Sequence, residues 1–232
     1  MAKEYLDELV IDGLDETHAA NANVDDVAYP TMLLVDFIID GSGSMWDFDA
    51  VMRDCLQHYK TSICNSKQAD EMLVSKTIFN EVIQTGGYVA PEDLNTDYDT
   101  GGVTRLYDSI IERRQRLLDY KEQLENNGTN VRACMIILSD GYDNASNQRA
   151  GDARRAVEDL YSKEITVAFI AFGQDAFGIA DTIGVKPKNV KEVTNDESAL
   201  RRIIDLVSKS AISASKKASA GAAVDDGGFF DV

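Results

Sequence analysis

Three long apolar runs dominate the hydrophobic pattern of the chain, and they contain many β-branched residues. They are TMLLVDFIID (31–40), VRACMIILSD (131–140) and ITVAFIAFG (165–173). Runs of this length predict strands that are buried on both faces of a parallel sheet. Asp36 interrupts the first run. If it is buried, it requires a partner, which the pattern does not identify.

Shorter apolar segments complete the predicted sheet. The stretch 71–90 predicts two strands with a tight turn near Asn80 and Glu81, and 189–194 predicts one more strand. Between the strands, apolar residues recur three and four positions apart, which predicts amphipathic helices. The predicted helices are 47–65, 105–124, 148–162, 177–183 and 196–210. Because strands alternate with helices, the predicted class is α/β, with a mostly parallel sheet and helices on both faces.

The two ends of the chain do not fit this alternation. Residues 1–30 hold eight carboxylates against one lysine, and they predict an acidic N-terminal extension with at most one short helix. Residues 211–232 are small and polar until a final FFDV, which predicts a flexible C-terminal tail. Its Phe229, Phe230 and Asp231 are typical of a short docking peptide, and a disordered tail is the alternative. The main domain is therefore expected at 31–210.

Composition and charge limit the partners and the compartment. The chain has 40 acidic and 23 basic residues, a net charge of −17, and such a surface repels nucleic-acid phosphates. No apolar run approaches the ~20 residues that span a bilayer, and the first residues lack the pattern of a signal peptide. Three cysteines without a CxxC pair favour a reducing compartment. The expected location is the cytoplasm, or a virion if the gene belongs to a phage.

The densest polar chemistry follows the first long run, in IIDGSGSMWD (38–47). A phosphate-binding P-loop would need a lysine after its last glycine, and a dinucleotide fingerprint would need glycine at Trp46. A GxSxG nucleophile elbow is also absent. Asp40, Ser42 and Ser44 instead offer oxygen atoms, which a hard cation such as Mg²⁺ prefers.

Further oxygen ligands are expected where other strands end, because ligands of open α/β sheets bind at the carboxyl edge. Thr104 lies in the glycine-rich loop DTGGVTRLYDSI (100–111), and Asp140 ends the run MIILSD. The predicted metal site is therefore Asp40, Ser42, Ser44, Thr104 and Asp140. Asp143 and Asn144 are expected to cap the following helix rather than bind metal.

DGSGSM, GGVTRLYD and LSDGYDN together resemble the three metal-site motifs of the von Willebrand factor A (VWA) family. The resemblance covers residues 31–210 and is strongest to stand-alone bacterial or phage members, including those of tellurite-resistance operons. It implies a Rossmann-like sheet with one antiparallel edge strand and a metal-ion-dependent adhesion site (MIDAS). In such a site Ser42 and Ser44 would bind Mg²⁺ directly, with Mn²⁺ or Ca²⁺ as substitutes. Thr104 would bind directly or through water, and Asp40 and Asp140 through waters and hydrogen bonds.

The function that this resemblance implies is metal-dependent protein–protein interaction without catalysis. The ion would take an Asp or Glu carboxylate from a partner protein, and Trp46, Arg105 and Tyr142 are candidates for the rim of the contact. One alternative is a structural subunit of a larger assembly, such as a phage virion or a homo-oligomer, held by its terminal arms. Another is a metal-dependent phosphatase or nuclease, which is disfavoured because the motif loops contain no lysine or histidine.

Overall fold

The structure, a computed structural model, describes residues 9–10, 16–27, 29–141, 143–172, 175–193, 197–222 and 228–232 of the 232. In this part of the chain the strands are β1 (Leu9–Val10), β2 (Glu16–His18), β3 (Thr31–Asp40), β4 (Met72–Phe79), β5 (Ile83–Thr85), β6 (Asn130–Ser139), β7 (Thr166–Phe172) and β8 (Val190–Val193). The α-helices are α1 (Asp49–Cys64), α2 (Leu106–Asn126), α3 (Ala150–Ser162), α4 (Ala176–Thr182) and α5 (Glu197–Ser219). None of these helices is both long and apolar enough to cross a membrane.

The strands form one sheet in the order β1-β2-β5-β4-β3-β6-β7-β8. Within the six strands from β5 to β8, all neighbours are parallel except β5, which runs antiparallel to β4 at the edge of this set. Helices α1 and α5 pack on one face, and α2, α3 and α4 pack on the other. The predicted α/β class, with its single antiparallel strand, is confirmed.

Two short strands of the described part of residues 1–30, β1 and β2, join the sheet, which contradicts the prediction of a separate acidic extension. β2 pairs in parallel with the outer edge of β5, and β1 pairs with β2 in antiparallel fashion. The Tyr120 hydroxyl also donates to the Ala22 carbonyl at 3.0 Å. An uncovered β5 would leave its backbone groups without partners, so the acidic segment is used as sheet edge despite its composition. Residues 1–8 and 11–15 lie outside the described ranges.

The C-terminal part also differs from the predicted flexible tail. α5 continues to Ser219 because small residues, among them Ala211 and Ala218, extend its buried face. Phe229 and Phe230 are only 9% and 6% exposed. They belong to the apolar core that α5 and the sheet form. The predicted boundary at 210 therefore falls inside a helix, and the expected docking peptide docks on its own chain.

Asp231, the third residue of the predicted docking peptide, is exposed, and its Oδ2 accepts from the Gly228 backbone N–H at 2.7 Å. Within the same turn, the Phe229 N–H donates to Asn189 Oδ1 at 2.8 Å. The aspartate thus closes the turn that presents the two phenylalanines to the core. Residues 223–227 lie outside the described ranges.

Asp36 finds its partner in Arg113 of α2. Both side chains are buried, with Arg113 Nε donating to Asp36 Oδ2 at 3.0 Å and Nη2 lying 2.9 Å from Oδ1. The Tyr88 hydroxyl donates to the same carboxylate at 3.1 Å. Arg113 also donates to Ser75 Oγ at 3.0 Å and to the Gly86 carbonyl at 3.1 Å. Burial acts to lower the pKa of Arg113, but attraction and hydrogen bonding to Asp36 and Tyr88 together raise that pKa by more, so the guanidinium stays charged.

We expect Arg113→Met to lower the free energy of unfolding by roughly 3–5 kcal/mol, because the Asp36 charge would remain buried without a partner. Urea unfolding followed by circular dichroism measures this change. Arg116→Met is the matched control on the same helix, since Arg116 pairs with Glu112 at the partly exposed surface, and about 1 kcal/mol or less is expected there. Adding Asp36→Leu to Arg113→Met should recover part of the loss. Equal losses in the two single variants would contradict the assignment.

Candidate metal centre

The predicted metal ligands lie at the carboxyl edge of the sheet, beside the ends of β3 and β6. β3 ends at Asp40, and a 3₁₀ turn, Gly43–Phe48, leads from it into α1. β6 ends at Ser139, and the next residue is Asp140. Because β3 and β6 are parallel neighbours in register through Ile39↔Leu138, the two strand ends and the loops that follow them adjoin.

One line of hydrogen bonds connects four of the five predicted residues. The Ser42 backbone N–H donates to Asp40 Oδ1 at 2.8 Å, and the Ser42 and Ser44 hydroxyls lie 3.1 Å apart. The Ser44 hydroxyl then donates to Asp140 Oδ1 at 3.0 Å. The second oxygen of Asp40 accepts from the Ser139 hydroxyl at 2.6 Å. The line runs from buried Asp40 through exposed Ser44 to partly buried Asp140, so it is open to solvent at Ser44.

Both carboxylates of the site lie in surroundings that oppose negative charge. Burial raises the pKa of Asp40, and hydrogen bonds from Ser139 and Ser42 oppose this rise. Burial also raises the pKa of Asp140, and the hydrogen bond from Ser44 opposes it. Asp40 and Asp140 in addition repel one another. A cation between them would favour the ionised form of both groups.

Thr104, the fifth predicted residue, lies in the neighbouring loop but outside this line of hydrogen bonds. Two backbone contacts hold its loop against the serine turn. Gly101 N–H donates to the Gly41 carbonyl at 2.8 Å, and Gly43 N–H donates to the Gly102 carbonyl at 3.2 Å. Gly102 has φ +72°, which favours glycine. Thr104 itself is 3% exposed.

The glycine after Asp40 allows the close approach that this loop needs. A Cβ at Gly41 would lie 2.6 Å from Ile78 Cγ2 and 3.1 Å from the Asp99 carbonyl oxygen. Next to Asp99, the buried Tyr98 hydroxyl donates to the Asp40 carbonyl. Burial raises the pKa of Tyr98, so this hydroxyl remains protonated. Sequence reasoning missed Tyr98 because no local pattern links it to Asp40.

Asn144 connects the Thr104 loop to the loop that follows β6. Its Oδ1 accepts from Thr104 N–H at 2.9 Å, and the Thr104 carbonyl accepts from the N–H groups of Asn144 at 3.1 Å and Ala145 at 3.0 Å. Asp143 Oδ1 accepts from Tyr107 N–H at 3.3 Å. The expectation that these two residues cap the following helix, α3, is wrong. They bind the start of α2 and the residues just before it.

Asp108, in the first turn of α2, also binds the loop that follows β6. Its two oxygens accept from the N–H groups of Asn147 and Gln148, both at 2.9 Å. The Asp108 N–H donates to Ser146 Oγ at 3.1 Å. The loops that carry Thr104 and Asp140 are thus joined into one unit. The sequence shows that these loops contain Asp and Asn, which commonly cap helices. It does not show that the two loops bind each other.

The rim candidates differ in what their side chains contact. Trp46 is 71% exposed, two residues after Ser44. Arg105 donates to Asp108 Oδ2 at 3.0 Å and to the Glu81 carbonyl at 3.2 Å, so it supports the loops. Tyr142 lies outside the described residues.

The set of donor atoms fits a hard, oxygen-binding cation. It contains two carboxylates and three hydroxyls, the ligand types that Mg²⁺, Mn²⁺ and Ca²⁺ accept. In the described ranges no three His, Cys, Asp or Glu side chains group as ligands of an ion.

No family model matches this sequence, and no curated protein matches it either. Its fold does match solved structures. The pilus adhesin SpaC of Lactobacillus rhamnosus GG superposes with a TM-score of 0.63 at 13% identity, and the match covers 84% of this chain and 31% of SpaC. The chain therefore spans less than a third of that protein.

Two further structures share the fold. Proximal thread matrix protein 1 from the mussel byssus, with a zinc-occupied MIDAS motif, has a TM-score of 0.58 at 16% identity over 79% of this chain and 46% of its own. The SpRpn10 VWA domain has a TM-score of 0.52 at 13% identity over 75% of this chain and 94% of its own. Identities this low establish the fold and nothing more. The chain has the Rossmann-like VWA fold.

Proposed function

We propose that this chain is a metal-dependent protein-interaction module with a complete adhesion site. Asp40, Ser42, Ser44, Thr104 and Asp140 would hold Mg²⁺, or Mn²⁺ or Ca²⁺ in its place. The ion would take an Asp or Glu carboxylate from a partner protein. The observation that carries this proposal is the line of hydrogen bonds from buried Asp40 through both serines to Asp140.

The residues divide into ligands and supports. The hydroxyls of Ser42, Ser44 and Thr104 are neutral, so they would leave most of the charge of the ion uncompensated. Asp40 and Asp140 orient the serine turn through its N–H and hydroxyl groups. When bound, the ion supplies a positive centre that attracts an external carboxylate more strongly than any neutral group could.

Support from other proteins is at the level of the fold. SpaC is a pilus adhesin, and the mussel protein has a zinc-occupied MIDAS motif; the step from these proteins to this chain is an analogy. We propose a stand-alone bacterial or phage type that acts in the cytoplasm, or in the virion of a phage. We propose no reaction, and His58, on α1, contacts Asp205 of α5 instead of the site.

The assembly-subunit alternative is less favoured by the contacts of the terminal arms. In the described ranges, the N-terminal arm extends its own sheet, and Phe229 and Phe230 pack on their own core. Because these terminal segments already pair and pack within their own chain, they have less free surface with which to bind another subunit.

Metal binding is the first test. We expect Mg²⁺ and Mn²⁺ to raise the melting temperature of the wild-type chain, because a ligand that binds only the folded state stabilises it by RT ln(1 + [L]/Kd). Ser42→Ala and Asp140→Asn should abolish most of this increase. Asp181→Asn is the matched control, since the Asp181 side chain is 89% exposed, on α4. The same metal-induced shift in all four proteins would refute the site.

Asn144→Ala should weaken metal binding although it leaves all five proposed ligands in place. Asn144 holds the backbone of Thr104, and residues that orient ligands typically contribute about 10–100-fold to metal affinity. Calorimetric titration with Mn²⁺ measures the affinity, and urea unfolding without metal measures stability separately. Asn147→Ala, at an exposed position in the same loop, should leave the affinity unchanged. A fall in affinity that only follows a fall in stability would argue against positioning.

Partner binding is tested by capture from a lysate of the source cells. The arms are wild type with Mg²⁺, wild type with EDTA, and Ser44→Ala with Mg²⁺; Ser44 is exposed, so this change should not disturb folding. We expect one protein to be retained only in the first arm. Capture of the same proteins in all three arms would show that binding does not use the metal site.

A further inference from the structure

Two exposed apolar side chains stand next to proposed metal ligands. Trp46 is 71% exposed, two positions after Ser44, and Val103 is 39% exposed, directly before Thr104. Their loops are joined by the hydrogen bond from Gly43 to Gly102. Among the described residues from 19 onward, five large apolar side chains are exposed, and two of the five lie beside this one site.

Packing within the chain does not require the tryptophan. In the 3₁₀ turn, Met45 is 0% exposed and Phe48 is 8% exposed, and Phe48 packs against Phe172 with ring centroids 4.7 Å apart. These two residues secure the turn to the core, whereas Trp46 points into solvent. An exposed aromatic ring of this kind is the usual anchor of a protein interface.

The same rim carries negative charge. Asp47 and Glu81 are exposed, and Glu81 borders the Thr104 loop, since its Cγ lies 2.6 Å from where a Cβ on Gly102 would stand. Neither carboxylate forms an ion pair with another described residue. Two nearby basic groups are already engaged with acidic partners.

These engaged groups are Arg53, which pairs with Asp49 at 2.5 Å, and Arg105, which pairs with Asp108 at 3.0 Å. The rim surface, which we define as Trp46, Asp47, Glu81 and Val103, therefore combines apolar area with uncompensated negative charge. The net charge of −17 adds repulsion at longer range. A partner that brings an isolated acidic patch would be repelled everywhere except at the ion.

We propose that the partner presents its metal-binding Asp or Glu beside a large apolar residue and between Lys or Arg residues. This inference rests on the proposed function and adds the chemistry of the partner to it. The basic residues would offset the repulsion from Asp47 and Glu81. The apolar residue would cover Trp46 and Val103, whose exposed surface is otherwise unused.

A random peptide library displayed on phage tests this chemistry directly. The full chain is immobilised with Mg²⁺, and bound phage are eluted with EDTA and sequenced. We expect Asp or Glu at one enriched position, with Lys or Arg on its flanks and an aromatic or aliphatic residue within a few positions. The same selection is run on Asp47→Lys/Glu81→Lys and on the control Asp181→Lys. The rim reversal should abolish the preference for basic flanks and keep the acidic position, and the control should change neither.

The outcomes separate this inference from the proposed function. Failure to enrich Asp or Glu in the EDTA eluate would refute the proposed function, and the inference with it. Enrichment of an acidic residue with neutral or acidic flanks on the wild-type chain would refute the inference alone. For a selected peptide, Trp46→Ala should weaken binding by about tenfold or more, while the metal-induced rise in melting temperature stays unchanged. An unchanged affinity for the peptide would show that Trp46 does not contact it, which would contradict the proposed apolar contact.

Discussion

The burial of β3 on both of its faces is the constraint on which the rest of the structure depends. Positions 32–40 are all buried, and β3 pairs in parallel with β4 and β6 along its length. Parallel pairing needs crossover helices, which cover both faces, and it brings successive strand ends to one edge. The position of Asp40 beside Ser139 and Asp140 follows from that pairing.

Two buried carboxylates on this strand have different kinds of partner. Asp36 and Asp40 are four residues apart, so they lie on the same face of the sheet, and both are 0% exposed. Asp36 has a cation within the chain, the Arg113 guanidinium. Among the described residues Asp40 has hydroxyl and N–H partners but no cation. In the proposed function, the bound ion would provide for Asp40 the compensating charge that Arg113 provides for Asp36.

The sequence was sufficient for the central elements and for the serine turn that ends β3, because both depend on local patterns. Metal binding by these residues stays a prediction. β3, β6 and β7 are long apolar runs, and Asp40, Ser42 and Ser44 share one turn. Other features depend on contacts between distant segments. Arg113 lies 77 residues from Asp36, and the hydrogen bonds of Asn144 to Thr104 span 40 residues. β2 was missed because its place is set by the free edge of β5, not by its own acidic composition.

In the proposed function, binding of the ion and recognition of the partner would fall to different residues. The loops of Thr104 and Asp140 are held together by buried or partly buried contacts through Asp108 and Asn144, which favours a site that is ordered before any partner arrives. The side chains of Trp46, Asp47, Glu81 and Val103 are exposed, and the Glu81 carbonyl is the one of their backbone groups that Arg105 contacts. In the proposed function, substitutions of these side chains would change which partner binds without changing the affinity for the ion. An ion bound in an acidic surface also favours selectivity, since it attracts a carboxylate at short range while the surrounding charge repels most acidic proteins at long range.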